Sequence, residues 1–160
     1  MQVTFIQAPL GRQEQLIYPL GIVTLAGTLP EKYNITIIDP NHIGVEAAEK
    51  QVRESEPQII CLSIRNLDSQ IRRDLFYYYL YLKKFIRKLR EWSPEAVIIA
   101  GGSGFSLFPR RIMEENPDLD LGVFLEADEV LPNLLENLRE PETVMGVYHR
   151  VDGQVEYTGN

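Results

Sequence analysis

Cysteine is the scarcest chemistry in this 160-residue chain: there is one, Cys61. A lone thiol cannot close an internal disulfide, build a four-thiolate zinc site or supply a three-cysteine iron–sulfur motif. Positive charge is also in short supply, with 16 Lys and Arg against 23 Asp and Glu and a net charge of −7. So acidic a surface is a poor grip on nucleic-acid phosphates or anionic lipid, and neither is expected as a partner. No apolar run approaches the roughly 20 residues that span a bilayer. The opening Met1-Gln2-Val3-Thr4-Phe5-Ile6 has neither the basic start nor the apolar stretch of a secretory leader, so a cytoplasmic location is expected. Low-complexity tracts and internal repeats are missing too. With 44% hydrophobic and 24% charged residues, the composition is that of an ordinary globular domain.

What is present is alternation. Short runs rich in Val, Ile and Leu fall at Val3–Ile6, Tyr33–Ile38, Gln58–Ile64, Ala96–Ala100 and Leu121–Leu125. Without strict polar alternation, they predict strands covered on both faces. Pro57, Pro94 and Pro117 precede three of them and stop the helices before. Helices are expected over Pro19–Leu29, Val45–Glu54, Arg72–Glu91, Leu107–Glu115 and Glu129–Leu138. In the longest, Leu75, Tyr79, Leu82, Ile86 and Leu89 form an inward stripe. Strand and helix in turn imply an α/β domain with a parallel sheet and right-handed crossovers. After Pro141, Val144–His149 and Gln154–Tyr157 flank Asp152-Gly153, a two-residue hairpin turn. The expected organisation is an α/β domain over 1–140 and a C-terminal β-hairpin over 141–160 that leads to a linker.

Ligands of an open parallel sheet bind beyond the carboxyl ends of its strands. Small or polar residues gather there five times: Gln7–Arg12, Asp39–Gly44, Ser63–Asp68, Gly101–Ser106 and Glu126–Glu129. The sharpest is Gly101-Gly102-Ser103-Gly104. It reads either as a tight strand-to-helix turn or as a loop whose amides approach a ligand closely. No Gly-Lys-Ser/Thr follows it, which excludes an ATPase phosphate loop. The first strand leads into Ala8-Pro9-Leu10-Gly11, which is not a dinucleotide fingerprint.

In this order, the edge residues resemble the cobalamin-binding domain that precedes the catalytic domain of many radical S-adenosylmethionine enzymes. The resemblance rests on Tyr18-Pro19-Leu20-Gly21-Ile22 with Leu25-Ala26, on Ile37-Ile38-Asp39, and on Glu56-Pro57-Gln58-Ile59-Ile60 before Ser63. It continues through Ile98–Gly104 and through Glu126–Leu135, where the family usually shows Gly-Glu-Gly-Glu, to Gly146-Val147-Tyr148. It implies a flavodoxin-like (Rossmann-like) fold: a five-stranded parallel sheet with helices on both faces. Cobalamin would lie against the strand ends with its nucleotide tail threaded into the core. The cofactor-binding residues implied are Pro9, Leu10, Asp39, Asn41, Ser63, Arg65, Asn66, Gly101, Gly102, Ser103, Gly104, Glu126 and Ala127. Of these, Ser63 and the glycine loop would line the tail, with Glu126–Glu129 at its border. Glu126 and Glu129 also read as plain helix-start carboxylates.

Cobalamin domains of the methyltransferase and mutase type carry Asp-x-His-x-x-Gly after a strand, the imidazole ligating cobalt from below. Here Asp39 and Gly44 keep that spacing, but Asn41 stands at the histidine position. His42, one residue later, reads as a solvent-exposed turn residue or a displaced ligand, and His149 in the hairpin as a poorer candidate. Cobalamin without a histidine ligand suits methyl transfer. Arg65, always protonated, cannot coordinate a metal. It would block the lower face, pair with the nucleotide phosphate or a carboxylate such as Asp68, or serve as a salt-bridged loop residue. Phe76, Tyr77, Tyr78, Tyr81 and Phe85 exceed what an inward stripe needs. They pack under loops or meet a radical domain or a second copy, making a homodimer through the Arg72–Glu91 helix. The resemblance further implies a radical S-adenosylmethionine catalytic domain in cis, which would hold S-adenosylmethionine and a 4Fe–4S cluster. The chain here would be a non-catalytic fragment that binds cobalamin. A receiver domain is a weak reading, since Ser63 and Glu126 stand where it needs Asp and Lys. A nucleotide-sensing or partner-docking module is the alternative function.

Overall fold

The computed structural model describes residues 1–12 and 17–159, so Asn160, the last residue of the expected lead into a linker, lies outside them. Its parallel strands are β1 (Gln2–Gln7), β2 (Asn34–Ile38), β3 (Ile59–Ser63), β4 (Val97–Gly101) and β5 (Leu121–Val123). They stand in the order β2-β1-β3-β4-β5. Ile6 of β1 lies opposite Ile38 of β2 on one side and Leu62 of β3 on the other, so the winding reverses at β1. The mouth of that reversal is where open sheets take ligands.

The C-terminal hairpin extends the sheet. β6 (Val147–Val151) pairs antiparallel with β5, and β7 (Gln154–Tyr157) with β6, making one sheet of seven strands. Its turn residues Asp152 and Gly153 have φ of +50° and +81°, the left-handed pair of a type I′ turn.

Strand residues alternate between two cores. Ile6, Ile60, Leu62, Ile98 and Ala100 face α3 (Val45–Ser55), α4 (Tyr79–Trp92) and α6 (Pro109–Glu115). Val3, Phe5, Ile59, Cys61, Ile99 and Val123 face α1 (Leu20–Thr28) and α7 (Val130–Glu136). Burial on both faces explains why the runs read as continuously apolar. A side chain as buried as Ile60 or Leu62 contributes about 1.5–3 kcal/mol. The amino-terminal edge of the sheet is closed by Arg90, which donates to the carbonyls of Pro94, Ala96 and Asp118 and to the Asp120 carboxylate at 2.7 Å.

Three helices differ from expectation. The helix predicted over Arg72–Glu91 begins only at Tyr79, because residues 69–76 close on themselves. Ser69 N donates to Phe76 O, its hydroxyl takes the Phe76 amide at 3.0 Å and gives to Asp74 O, and the Asp68 carboxylate takes the Gln70 amide. Such side-chain bonds compete with helix formation. Leu75 is accordingly exposed rather than inward, and any homodimer through this region would not use a helix reaching Arg72. The helix predicted over Leu107–Glu115 is two, α5 (Ser103–Leu107) and α6, broken at Phe108. Pro109 pushes that residue out of the helical region, to φ −144°. A one-turn α2 (Pro40–Ile43), capped by the Asp39 carboxylate, was not foreseen.

Candidate functional site at the carboxyl edge of the sheet

Each strand exit is fixed by a neighbour. At the exits of β1 and β2 the fixing residue is Asn41. Its Oδ1 accepts from Leu10 N at 2.8 Å, while its Nδ2 donates to Ala8 O at 3.1 Å and to the Asp39 carboxylate at 3.0 Å. With its amide so engaged, Asn41 joins two loops. Pro9 and Leu10 belong to the joined pair. His42 is exposed on α2, and His149 is buried on β6.

The exits of β3 and β4 meet backbone to backbone. Gly104 N donates to Ile64 O at 2.8 Å, and the Ser103 hydroxyl to Arg65 O at 2.9 Å. A Cβ on Gly102 would fall 2.7 Å from Ile64 O, and one on Gly104 would fall 2.9 Å from Arg65 O. These two glycines therefore serve the fold. Gly101 differs: its φ is ordinary, and an added Cβ would meet nothing nearer than Val123 O at 3.7 Å. At the exit of β5, Ser106 takes the Leu125 amide at 3.0 Å and donates to Gly102 O at 3.0 Å. Leu125 is left-handed, with φ +59°, a backbone that costs a non-glycine residue about 1–2 kcal/mol.

Over the first exit lies the self-closed segment 69–76. The Arg12 guanidinium sits 4.7 Å above the Phe76 ring and 2.8 Å from the Asp74 carboxylate. The Tyr81 ring lies where a side chain on Gly11 would stand, which requires glycine there. No local pattern announces this clasp, because Arg12 and Asp74 are about 60 residues apart.

Two cavities open at this edge. A crevice of about 190 Å³ runs between the sheet and α1 and α7, walled by Phe5, Ile22, Leu25, Cys61, Ile99, Val123 and Leu131. Ser63, Gly101, Gly102, Ala127 and Gly21 also line it. Burial pushes the Cys61 thiol up to about 12, so it stays protonated and a poor metal ligand. Beside the crevice is a shallow trough of about 720 Å³ that includes Ser103, Leu107, Phe124, Glu126 and Met145. Of the site residues predicted from sequence, Ser63, Gly101, Gly102 and Ala127 thus meet at the crevice, and Ser103 and Glu126 at the trough. Pro9, Leu10, Asp39 and Asn41 gather at the other side of the switch point. Gly104 is buried beneath the β3 exit. Asn66 is half-buried and lines neither cavity.

Arg65 is exposed and makes no side-chain ion pair among the described residues; the pairing considered with Asp68 does not form. The same is true of exposed Glu129, of Glu126, which lines the trough, and of Asp128, which lines the crevice. Among the described residues no cluster of three or more His, Cys, Asp and Glu is placed to hold a metal ion. Ser106 enters the sequence reading only as the end of the Gly101–Ser106 stretch, and Leu125 only as the end of an apolar run. A positive φ at leucine has no sequence signature. Gly21, in the Tyr-Pro-Leu-Gly-Ile stretch, was visible.

Comparison with known proteins bears on what fills these cavities. Residues 7–135 match the B12 binding domain family. No curated protein matches the chain. Two solved structures of TsrM, a radical S-adenosylmethionine methyltransferase from Kitasatospora setae, superpose on 99% of this chain at 16% identity. One holds tryptophan substrate and an analogue of S-adenosylmethionine (TM-score 0.85), the other cobalamin and a 4Fe–4S cluster (TM-score 0.84). This chain spans only 30% of the length of those. At that identity the superposition establishes the fold. The family match runs from the last residue of β1 into α7 and takes in all five strand exits: this chain belongs to the B12-binding domain family.

Proposed function

We propose that this chain holds cobalamin at the carboxyl edge of its sheet, as the cofactor-holding part of a radical S-adenosylmethionine methyltransferase. The crevice carries the reading. An engineered apolar cavity of about 150 Å³ takes up benzene, so a crevice of about 190 Å³ with similar walls suits a flat bicyclic base. Its lining includes Gly21 and Gly101, neither with a positive φ nor with a crowding neighbour, so their missing side chains serve the space rather than the backbone. Ser63 adds a hydroxyl at the rim. The residues present thus fit the nucleotide tail of a corrinoid, with the corrin ring over the strand exits.

Bound cobalamin would supply a cobalt centre able to carry a methyl group. The chain's own residues orient and shield it. Asn41 stands where related domains place histidine, and its amide is engaged by Leu10, Ala8 and Asp39. Exposed His42 lies one residue on, so we read the lower face as lacking an imidazole. Arg65, permanently charged and without an ion pair among the described residues, suits either the shielding of that face or the nucleotide phosphate. Residues 1–140 would form the holding unit, and 141–160 the hairpin leading out of it. The likeness to TsrM, a cobalamin- and cluster-containing methyltransferase, supports a radical domain in cis as the partner. S-adenosylmethionine and the cluster would belong to that domain. Among the described residues no helix is long and apolar enough to cross a membrane, and the cytoplasm is the proposed site of action. Exposed Tyr77, Leu80 and Tyr81 suit contact with the radical domain or a second copy.

The test is direct. Purified protein is mixed with hydroxocobalamin, desalted and scanned in the visible range. A coloured eluate with about one corrinoid per chain is expected; a colourless one would point instead to a nucleotide-sensing or docking module.

A further inference from the structure

Leu125 is the only described residue that lines both the crevice and the trough, and so forms the partition between them. Its backbone is left-handed, a conformation glycine adopts without strain. What leucine adds at this position is therefore its side chain. The strained turn is held from behind: the Ser106 hydroxyl takes the Leu125 amide and gives its own proton to Gly102 O, tying the β5 exit to the β4 exit. The residue is 58% exposed, so core packing does not explain its side chain. Removing it would merge a narrow crevice of about 190 Å³ with a wider trough of about 720 Å³.

Building on the cobalamin reading above, we propose that Leu125 is a specificity-determining residue: it closes the outer wall of the crevice against the inserted base of the nucleotide tail. Ser106 is its positioning residue. Together they make the chain select corrinoids that carry a base over corrinoids that lack one.

The experiment compares cobalamin with cobinamide, the same corrin ring without the nucleotide tail, by titration of visible absorbance on the whole chain. Wild type should prefer cobalamin. L125A and L125G should each lower that preference about tenfold, the loss of one apolar contact on the base, while cobinamide affinity stays within about twofold. S106A should lower it less, and L125M should retain most of it. Melting temperature separates wall from fold, since L125G, freed of strain, should melt no lower than L125A.

Unaltered preference in L125A and L125G would overturn the role of Leu125. So would an equal loss for both corrinoids, which would place the effect on the ring rather than the tail. A wild type that binds both corrinoids equally would overturn the partition and leave corrinoid binding standing. Uptake of neither would overturn both.

Discussion

Gly101 and Gly102 are adjacent in one loop, yet they should fail in opposite ways when each is replaced by alanine. Gly102 has φ +98° and ψ 172°, a region open to glycine almost alone, and its added methyl would press on Ile64 O at 2.7 Å. The backbone term costs about 1–3 kcal/mol and the forced shift about 1–3 more, together roughly 2–6 kcal/mol. For a domain of this size each kcal/mol moves the melting temperature by about 2–4 °C, so Gly102→Ala should melt roughly 5–20 °C lower. Gly101 has no such constraint, and its nearest neighbour at 3.7 Å is an ordinary contact. Gly101→Ala should change stability by less than about 1 kcal/mol. Its methyl instead takes space from the crevice. Overfilling a packed site costs about 1–3 kcal/mol, which is roughly a 5- to 150-fold loss of cobalamin affinity, with cobinamide unaffected. Thermal melts and corrinoid titrations of the two variants read both quantities. A Gly101→Ala protein that melts as low as Gly102→Ala, or that binds cobalamin like wild type, would refute this reasoning.

Glu115 sits among Arg111, Lys83 and Tyr79, which hold its carboxyl down at about 2. A carboxyl held below its usual value stabilises the fold above pH ~4.5 and loses that contribution as pH falls towards 2. Melts of wild type and Glu115→Gln should therefore differ at pH 7 and converge near pH 2; a constant gap would contradict this. Cys61, buried and raised to about 12, should react with a thiol reagent at least ~100-fold more slowly in the native protein than in denaturant. Rapid native labelling would show the crevice wall to be open. In the reconstituted cobalt(II) protein, paramagnetic resonance should show no nitrogen splitting from a protein imidazole, in wild type and His42→Ala alike. Such a splitting would return a histidine to the lower face. Arg65→Ala should weaken cobalamin about tenfold, the scale of one charge-assisted contact. Unchanged affinity would remove Arg65 from the site.

Strands were legible because burial on both faces leaves an unbroken apolar record, and each predicted run lies within a few residues of its strand. The start of α4 was not. Arg72–Phe76 carries helical spacing, but the competing bonds of Ser69 and Asp68 are made outside the window in which periodicity is read. The glycine loop was visible as a unit but not as two separate roles. Only the distance from each missing Cβ to Ile64, Arg65 or Val123 separates glycines that let two loops touch from the one that leaves space. Asp39 and Asn41 stood out by spacing, whereas the bonds from Asn41 to Leu10 and Ala8 depend on β1 and β2 lying side by side. Leu125 and the Arg12–Asp74 contact left no local trace, since neither backbone handedness nor a partner about 60 residues away is written in composition.

The hairpin has a consequence for solubility. β5 is only three residues long, and without β6 it would present its unpaired amides and carbonyls as the bare margin of the sheet. A bare margin is a template on which a second chain can grow. β6 occupies it, β7 follows, and Arg110 of α6 donates its guanidinium to Val155 O on β7. A capped carbonyl and a charged guard replace a sticky boundary. Chains shortened before Val147 would keep most of both cores and all the strand exits, yet expose the β5 margin that β6 covers.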